Sequence, residues 1–209
     1  MKKIILLLLL GIGTISATPD AATFTGKIQY RYSFTDLQGN DITDRAAPLL
    51  GREQHYFVSD SNYKSYDETN TITQLYNSRS NTYFGFWKDK TASRIDALTR
   101  TSQQYKVTRL NKKEKILGYD CVAIQVETDN TSTIYYYSPL LRIDYKAYAK
   151  HNFGEWNNYL ETTRGALSLK YIITNPQKGY VWTVLAEKIT AMKLNARAFE
   201  FPQGYELRN

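Results

Sequence analysis

The chain has 209 residues, with 27 Lys and Arg against 20 Asp and Glu, a net charge of +7, one cysteine and 26 Tyr and Phe counted as 18 and 8. A single cysteine excludes an intrachain disulfide framework, so the core must hold by packing alone. The basic residues are scattered, densest at Lys112, Lys113 and Lys115, and lack the stripe with interleaved aromatics that marks a nucleic-acid binder, so no nucleic-acid partner is expected.

Met1 to Ala17 reads as a secretory signal peptide: Lys2 and Lys3 precede an apolar run from Ile4 to Ile15, and Ala17 offers a cleavage point. The run is too short, and its flank too quickly polar, for a spanning helix, so no stable transmembrane anchor is expected after cleavage. No cysteine lies near that point to take a lipid anchor. Residues 18–23 read as a short polar leader and residues 24–209 as a single β-rich domain, since no linker, repeat or composition break follows. The expected destination is the periplasm, with the cell exterior as the alternative.

The first mature strand is expected over Phe24 to Thr35, where Ile28, Tyr30, Tyr32 and Phe34 alternate with Lys27, Gln29, Arg31 and Ser33. Residues 41–51, with Pro48 inside, read as irregular. A hairpin follows, from His55–Val58 through Ser59-Asp60-Ser61-Asn62 to Tyr63–Tyr66, and then strands over 71–76, 82–87 and 95–101. Tyr105 to Leu110 alternates again, residues 111–115 form a basic link, and Val122, Ile124 and Val126 share one face of the next strand. Thr133 to Ser138 is a strand that Pro139 ends, and Ala166–Thr174 and Tyr180–Leu194 pair across the turn at Asn175-Pro176. That gives about ten strands.

Asp144 to Lys170 holds the one stretch that reads as helical. Tyr145, Tyr148, Ala149, Phe153, Trp156 and Leu160 recur at helical spacing, Gly154 interrupts them, and Gly165 suits a left-handed stop. The firm part is expected over Glu155 to Thr163. One amphipathic helix among many strands must bury its stripe on the sheet. The fold class is therefore mainly β: a single large curved antiparallel sheet, an unclosed barrel, with one helical segment covering the concave face.

Ile116-Leu117-Gly118-Tyr119-Asp120-Cys121, followed by Tyr135-Tyr136-Tyr137-Ser138-Pro139 and Phe201-Pro202-Gln203-Gly204-Tyr205, resembles exported envelope proteins of the GLPGLI type. These look like the wider lipoprotein-carrier (LolA/LolB-like) superfamily. The GLPGLI signature itself is replaced by Arg164-Gly165-Ala166-Leu167-Ser168-Leu169. The resemblance implies an unclosed β-barrel whose cavity, in the carriers, takes acyl chains.

No HExxH, Cys-x-x-Cys, GxSxG or phosphate-cradling glycine loop occurs. His151 and Glu155 stand at helical spacing and read as an exposed surface pair, and Cys121 as a small core residue. No catalytic residue, metal ligand or cofactor is assigned, and the expected function is non-catalytic: binding of a lipid or other amphiphile. The alternative is a structural protein of the envelope with a filled core and a protein partner. The candidate cavity lining is Tyr148, Phe153, Trp156, Tyr159 and Leu160, which fit core packing as well as a ligand wall.

Overall fold

The alternating first segment becomes the centre of the molecule. In the computed structural model, which describes residues 23–208, β1 (Gly26–Asp36) buries Ile28, Tyr30, Tyr32 and Phe34 and turns Arg31 and Ser33 outward. The signal-peptide expectation, and all of the leader except Thr23, lie outside the described residues.

From β1 the chain meanders through β2 (Glu53–Val58), β3 (Tyr63–Tyr66), β4 (Ile72–Asn77), β5 (Thr82–Phe86) and β6 (Thr91–Asp96). It restarts at the opposite edge with β7 (Lys106–Ile116) and returns through β8 (Tyr119–Glu127), β9 (Ser132–Arg142) and β10 (Ala166–Asn175) to β11 (Tyr180–Ala191), which pairs with β1. The two-residue β12 (Glu206–Leu207) adds to β6 in parallel; the other named pairings are antiparallel. The result is one unclosed sheet of 12 strands in the order β12-β6-β5-β4-β3-β2-β1-β11-β10-β9-β8-β7.

Chain length forces this sheet to curl. β6 and β7 lie ten inter-strand steps apart, about 48 Å if the sheet were flat. Residues 97–105 join them and reach at most about 33 Å when fully extended. The two edges must approach each other, which makes one face concave.

Several local expectations change. Residues 43–50 are not irregular but form α1 (Thr43–Leu50), so the described residues hold two α-helices and not one. Asp41 accepts the Thr43 N–H at 2.8 Å before it, and Gly51, at φ +79°, donates to the Ala47 carbonyl at its end. Pro48 falls in the last turn, where its missing N–H forfeits one helical bond of a short helix. The strand expected at 95–101 is β6, ending at Asp96, and turns follow. The basic link 111–115 belongs to β7, whose register shifts between Leu110 and Lys113. Pro139 does not end β9: it lies where the β9–β10 register is irregular, between the Tyr137–Ser168 and Arg142–Ala166 pairs, so no regular ladder bond is lost.

The helical stretch is broken as its glycine suggests. Asp144 caps a 3-10 turn at Tyr145–Tyr148, accepting the Lys146 N–H at 3.0 Å. A second turn, Phe153–Glu155, carries Gly154 at φ 67° and Glu155 at φ 58°. Only then does α2 (Trp156–Thr163) begin, and Arg164 (φ 54°) and Gly165 (φ 84°) end it.

The main core joins the inner face of β1, β2, β3, β8 and β10 to Tyr148, Tyr159 and Leu160. A smaller cluster, Ile72, Leu75, Phe86, Ala92 and Phe199, lies under the C-terminal segment, whose 3-10 turn Ala196–Phe199 is capped by Asn195.

Candidate functional site

Strand register decides which side chains meet over the concavity. Tyr30 pairs with Gln54, Ser65 with Gln74, and Tyr171 with Tyr135, so these side chains share one side of the sheet. Tyr56 and Tyr63 follow at alternate positions on β2 and β3. On the open side, α2 brings Trp156 across, 6.5 Å from Tyr56 and 6.0 Å from Tyr63 between ring centroids. With Leu167 and Ser168 of β10 these groups, except Ser65, line a pocket of about 210 Å³. A second hollow of about 230 Å³ shares Gln54 and Gln74 with it and reaches Trp182, Tyr83 and Leu50 at the end of α1.

Part of the polar lining is already engaged. The Tyr30 hydroxyl donates to the Ser168 carbonyl at 2.7 Å, and Ser168 Oγ donates to the Lys170 carbonyl at 2.8 Å. The Tyr83 hydroxyl donates to Gln74 Oε1 at 3.2 Å. Tyr56 Oη, Trp156 Nε1 and Trp182 Nε1 are buried without a partner. Buried donors left unmatched are uncommon in folded proteins and are what a ligand's oxygen can satisfy.

The pocket under Trp156 has no charged residue in its lining, and the hollow toward α1 carries Glu53 and Asp67. No Lys, Arg or His is among the described residues lining either hollow. Burial, with smaller contributions from neighbouring phenols, holds Tyr30, Tyr56 and Tyr63 well above the usual tyrosine value, and burial pushes Tyr135 up to about 12. These phenols therefore stay protonated and act as donors.

Of the five residues picked from the sequence, Trp156 lines the pocket. Tyr159 stands behind it, stacked at 5.6 Å and 15°, and donates to the Ala166 carbonyl. Leu160 and Tyr148 are fully buried in the core, and the Tyr148 hydroxyl bonds to the Ser59 and Asn62 carbonyls. Phe153 is half-buried against Tyr83, at 4.7 Å. The rest of the lining comes from strands. Its only sequence signal was period-two alternation, which marks a buried face without saying that the face is hollow.

His151 corrects an expectation. It is not an exposed partner of Glu155 but has no exposed surface, with Nε2 2.7 Å from the Tyr63 hydroxyl and its ring 4.0 Å from that of Tyr76. Desolvation lowers its pKa to about 3, so the imidazole is neutral. The left-handed turn at Gly154 and Glu155 breaks the helical spacing that would have paired the two. Glu155 is buried as well and accepts from the Ser102 N–H at 3.1 Å and from Asn158 Nδ2 at 2.7 Å, tying the 97–105 loop to α2. Cys121 is a core residue, as expected, and burial raises its thiol to about 11. Among the described residues no helix is long and apolar enough to cross a membrane.

The family model described as "Domain of unknown function (DUF4412)" matches residues 62–205. No curated protein matches the chain. Among solved structures, it is similar to PNGF-II at 12% identity, covering 88% of this chain and 31% of that one, with a TM-score of 0.49. This chain thus spans about a third of the PNGF-II length. It is also similar to a LolA superfamily protein, NE2245, from Nitrosomonas europaea (10% identity; 86% and 91% covered; TM-score 0.38). A DUF1329 family protein from Desulfovibrio piger gives 8% identity, 85% and 90% coverage and a TM-score of 0.36.

Proposed function

This chain belongs to the DUF4412 family, and from that premise we propose that it is a non-catalytic, exported envelope protein that holds a lipid or other amphiphile on its concave face. The observation that carries the reading is the pocket between the inner strand face and Trp156: aromatic on most sides, free of lining charge, and supplied with unpartnered donors at Tyr56 and Trp156. Mostly apolar walls with a few placed polar groups are what small-ligand sites share. The N-terminal signal pattern supports export.

The pocket is smaller than the roughly 300–1,000 Å³ of drug-sized ligand sites. It therefore receives a segment of a chain, and the adjoining hollow toward α1 takes more of it. That small volume also favours the second reading, a structural protein whose core is nearly filled and whose exposed surface meets an envelope partner.

Native mass spectrometry of gently purified protein, followed by calorimetric titration of delipidated protein with a short-chain amphiphile, separates the two. The binding reading expects a co-purified amphiphile and a saturable response that Trp156→Ala abolishes. Absence of both, with a specific protein recovered from envelope extracts, supports the second reading and overturns the first.

A further inference from the structure

We propose that the ligand presents an uncharged oxygen acceptor, an ester or amide carbonyl, to Tyr56 and Trp156, and so is a neutral acyl compound and not a free fatty acid or an anionic phospholipid. This rests on the amphiphile reading above and specifies the polar half of the ligand.

The first argument is the donor pair. Tyr56 is 7% exposed, its hydroxyl is unpartnered, and it lines the same pocket as the unpartnered Trp156 indole N–H. The indole N–H only donates, and a carbonyl oxygen has two lone pairs, so one carbonyl can serve both groups. Two other phenols of the pocket are already engaged, Tyr30 of β1 with the Ser168 carbonyl and Tyr63 of β3 with His151, whereas Tyr56 and Trp156 are the lining groups whose buried donors stand without an acceptor.

The second argument is the missing counter-charge. A carboxylate or phosphate taken out of water must be paired, and protein sites for such groups use Arg or Lys. Neither hollow has a cation in its lining, and the one toward α1 includes Asp67. Beyond it the rim groove carries Asp67, Glu68 and Asp89 against Lys88 alone, and Asp89 is bonded to Arg208. An anionic head therefore meets a net acidic lining along this route, with Glu53, Asp67, Glu68 and Asp89 against Lys88. A cationic head would find aromatic faces, but also the positive ends of two unpartnered donors.

The test compares three probes of one chain length on delipidated full-length mature protein at pH 7.5: a monoacylglycerol, the free fatty acid and the alkyltrimethylammonium. Affinities come from calorimetry and tryptophan emission. The monoacylglycerol is expected to bind about tenfold or more tighter than either charged probe, and Tyr56→Phe to weaken it about three- to tenfold while leaving the fatty acid unchanged. Trp156→Phe, which keeps an aromatic wall and removes the N–H, gives the same result independently if Tyr56→Phe does not fold. Equal or tighter binding of a charged probe, or full monoacylglycerol affinity in a folded Tyr56→Phe or Trp156→Phe protein, overturns this inference and leaves the amphiphile reading intact. Binding of none of the three overturns both.

Discussion

The hydroxyl of Tyr63 lies 2.7 Å from Nε2 of His151, and the two rings are nearly parallel, 8° apart with centroids at 5.6 Å. This pair sits behind the pocket wall, because Tyr63 lines the pocket and His151 stacks on Tyr76 beyond it. Burial holds the imidazole neutral, at about 3 against an ordinary 6.5.

A pH dependence follows with a definite sign. The unfolded chain takes up the His151 proton below about pH 6.5, and the folded protein does so only near pH 3. Stability is therefore full above pH 6.5 and falls as the pH drops through that window. The loss reaches on the order of 5 kcal/mol at the acid end. Urea unfolding of wild type and His151→Phe between pH 4 and 8 checks this: carboxylate effects are common to both, and wild type should lose about 3 kcal/mol relative to the variant between pH 6.5 and 4. Parallel curves would refute the assignment.

Two left-handed glycines should respond differently to the same change. Gly165 has φ +84°, and a Cβ there would overlap the Ile143 carbonyl oxygen. Gly118 has the same φ with nothing within 4 Å. Gly165→Ala is expected to cost about 3 kcal/mol or more, and Gly118→Ala about 1 kcal/mol. Denaturant midpoints of the two variants measure the gap.

Leu160 and Trp156 share α2 but not a role. Leu160 has no exposed surface, so Leu160→Ala should cost about 2–5 kcal/mol as a core cavity and leave the affinity of the folded fraction near wild type. Trp156→Ala should cost less stability and remove binding. Melting curves paired with amphiphile titration distinguish them, and equal binding losses would contradict the division.

Cys121 should resist alkylation in the native state. It is 1% exposed, with its thiol raised to about 11, so the reactive thiolate is scarce at pH 8. Iodoacetamide labelling followed by mass spectrometry should show modification only in denaturant, and rapid native labelling would contradict the burial.

The strands were legible because Ile28, Tyr30, Tyr32 and Phe34 sit on a half-wet sheet face, where alternation is imposed by water. Gly154 and Gly165 were legible because their backbone angles suit glycine. α1 was not, since Pro48 argues against a helix and Ile42 supplies no side-chain cap. Trp156 could be picked as lining from its helical spacing, but its partners could not. Tyr30, Tyr56, Gln74 and Tyr171 come from strands far apart in sequence, and only the curl of the sheet brings them together. His151 was misplaced because an i, i+4 argument presumes an unbroken helix, and the turn at Gly154 denies it.

The pairing of β1 with β11 has a consequence for how the molecule comes into being. Gly26 lies opposite Ala191 and Asp36 opposite Tyr180, so the first strand and the last long strand to leave the ribosome are immediate neighbours at the middle of the sheet. Until Tyr180–Ala191 has been synthesised, the two meanders have no shared ladder to join them. Closure of such distant residues is slow compared with local hairpin formation. A chain arranged this way completes the ladder at the centre of its sheet only after its last long strand is available.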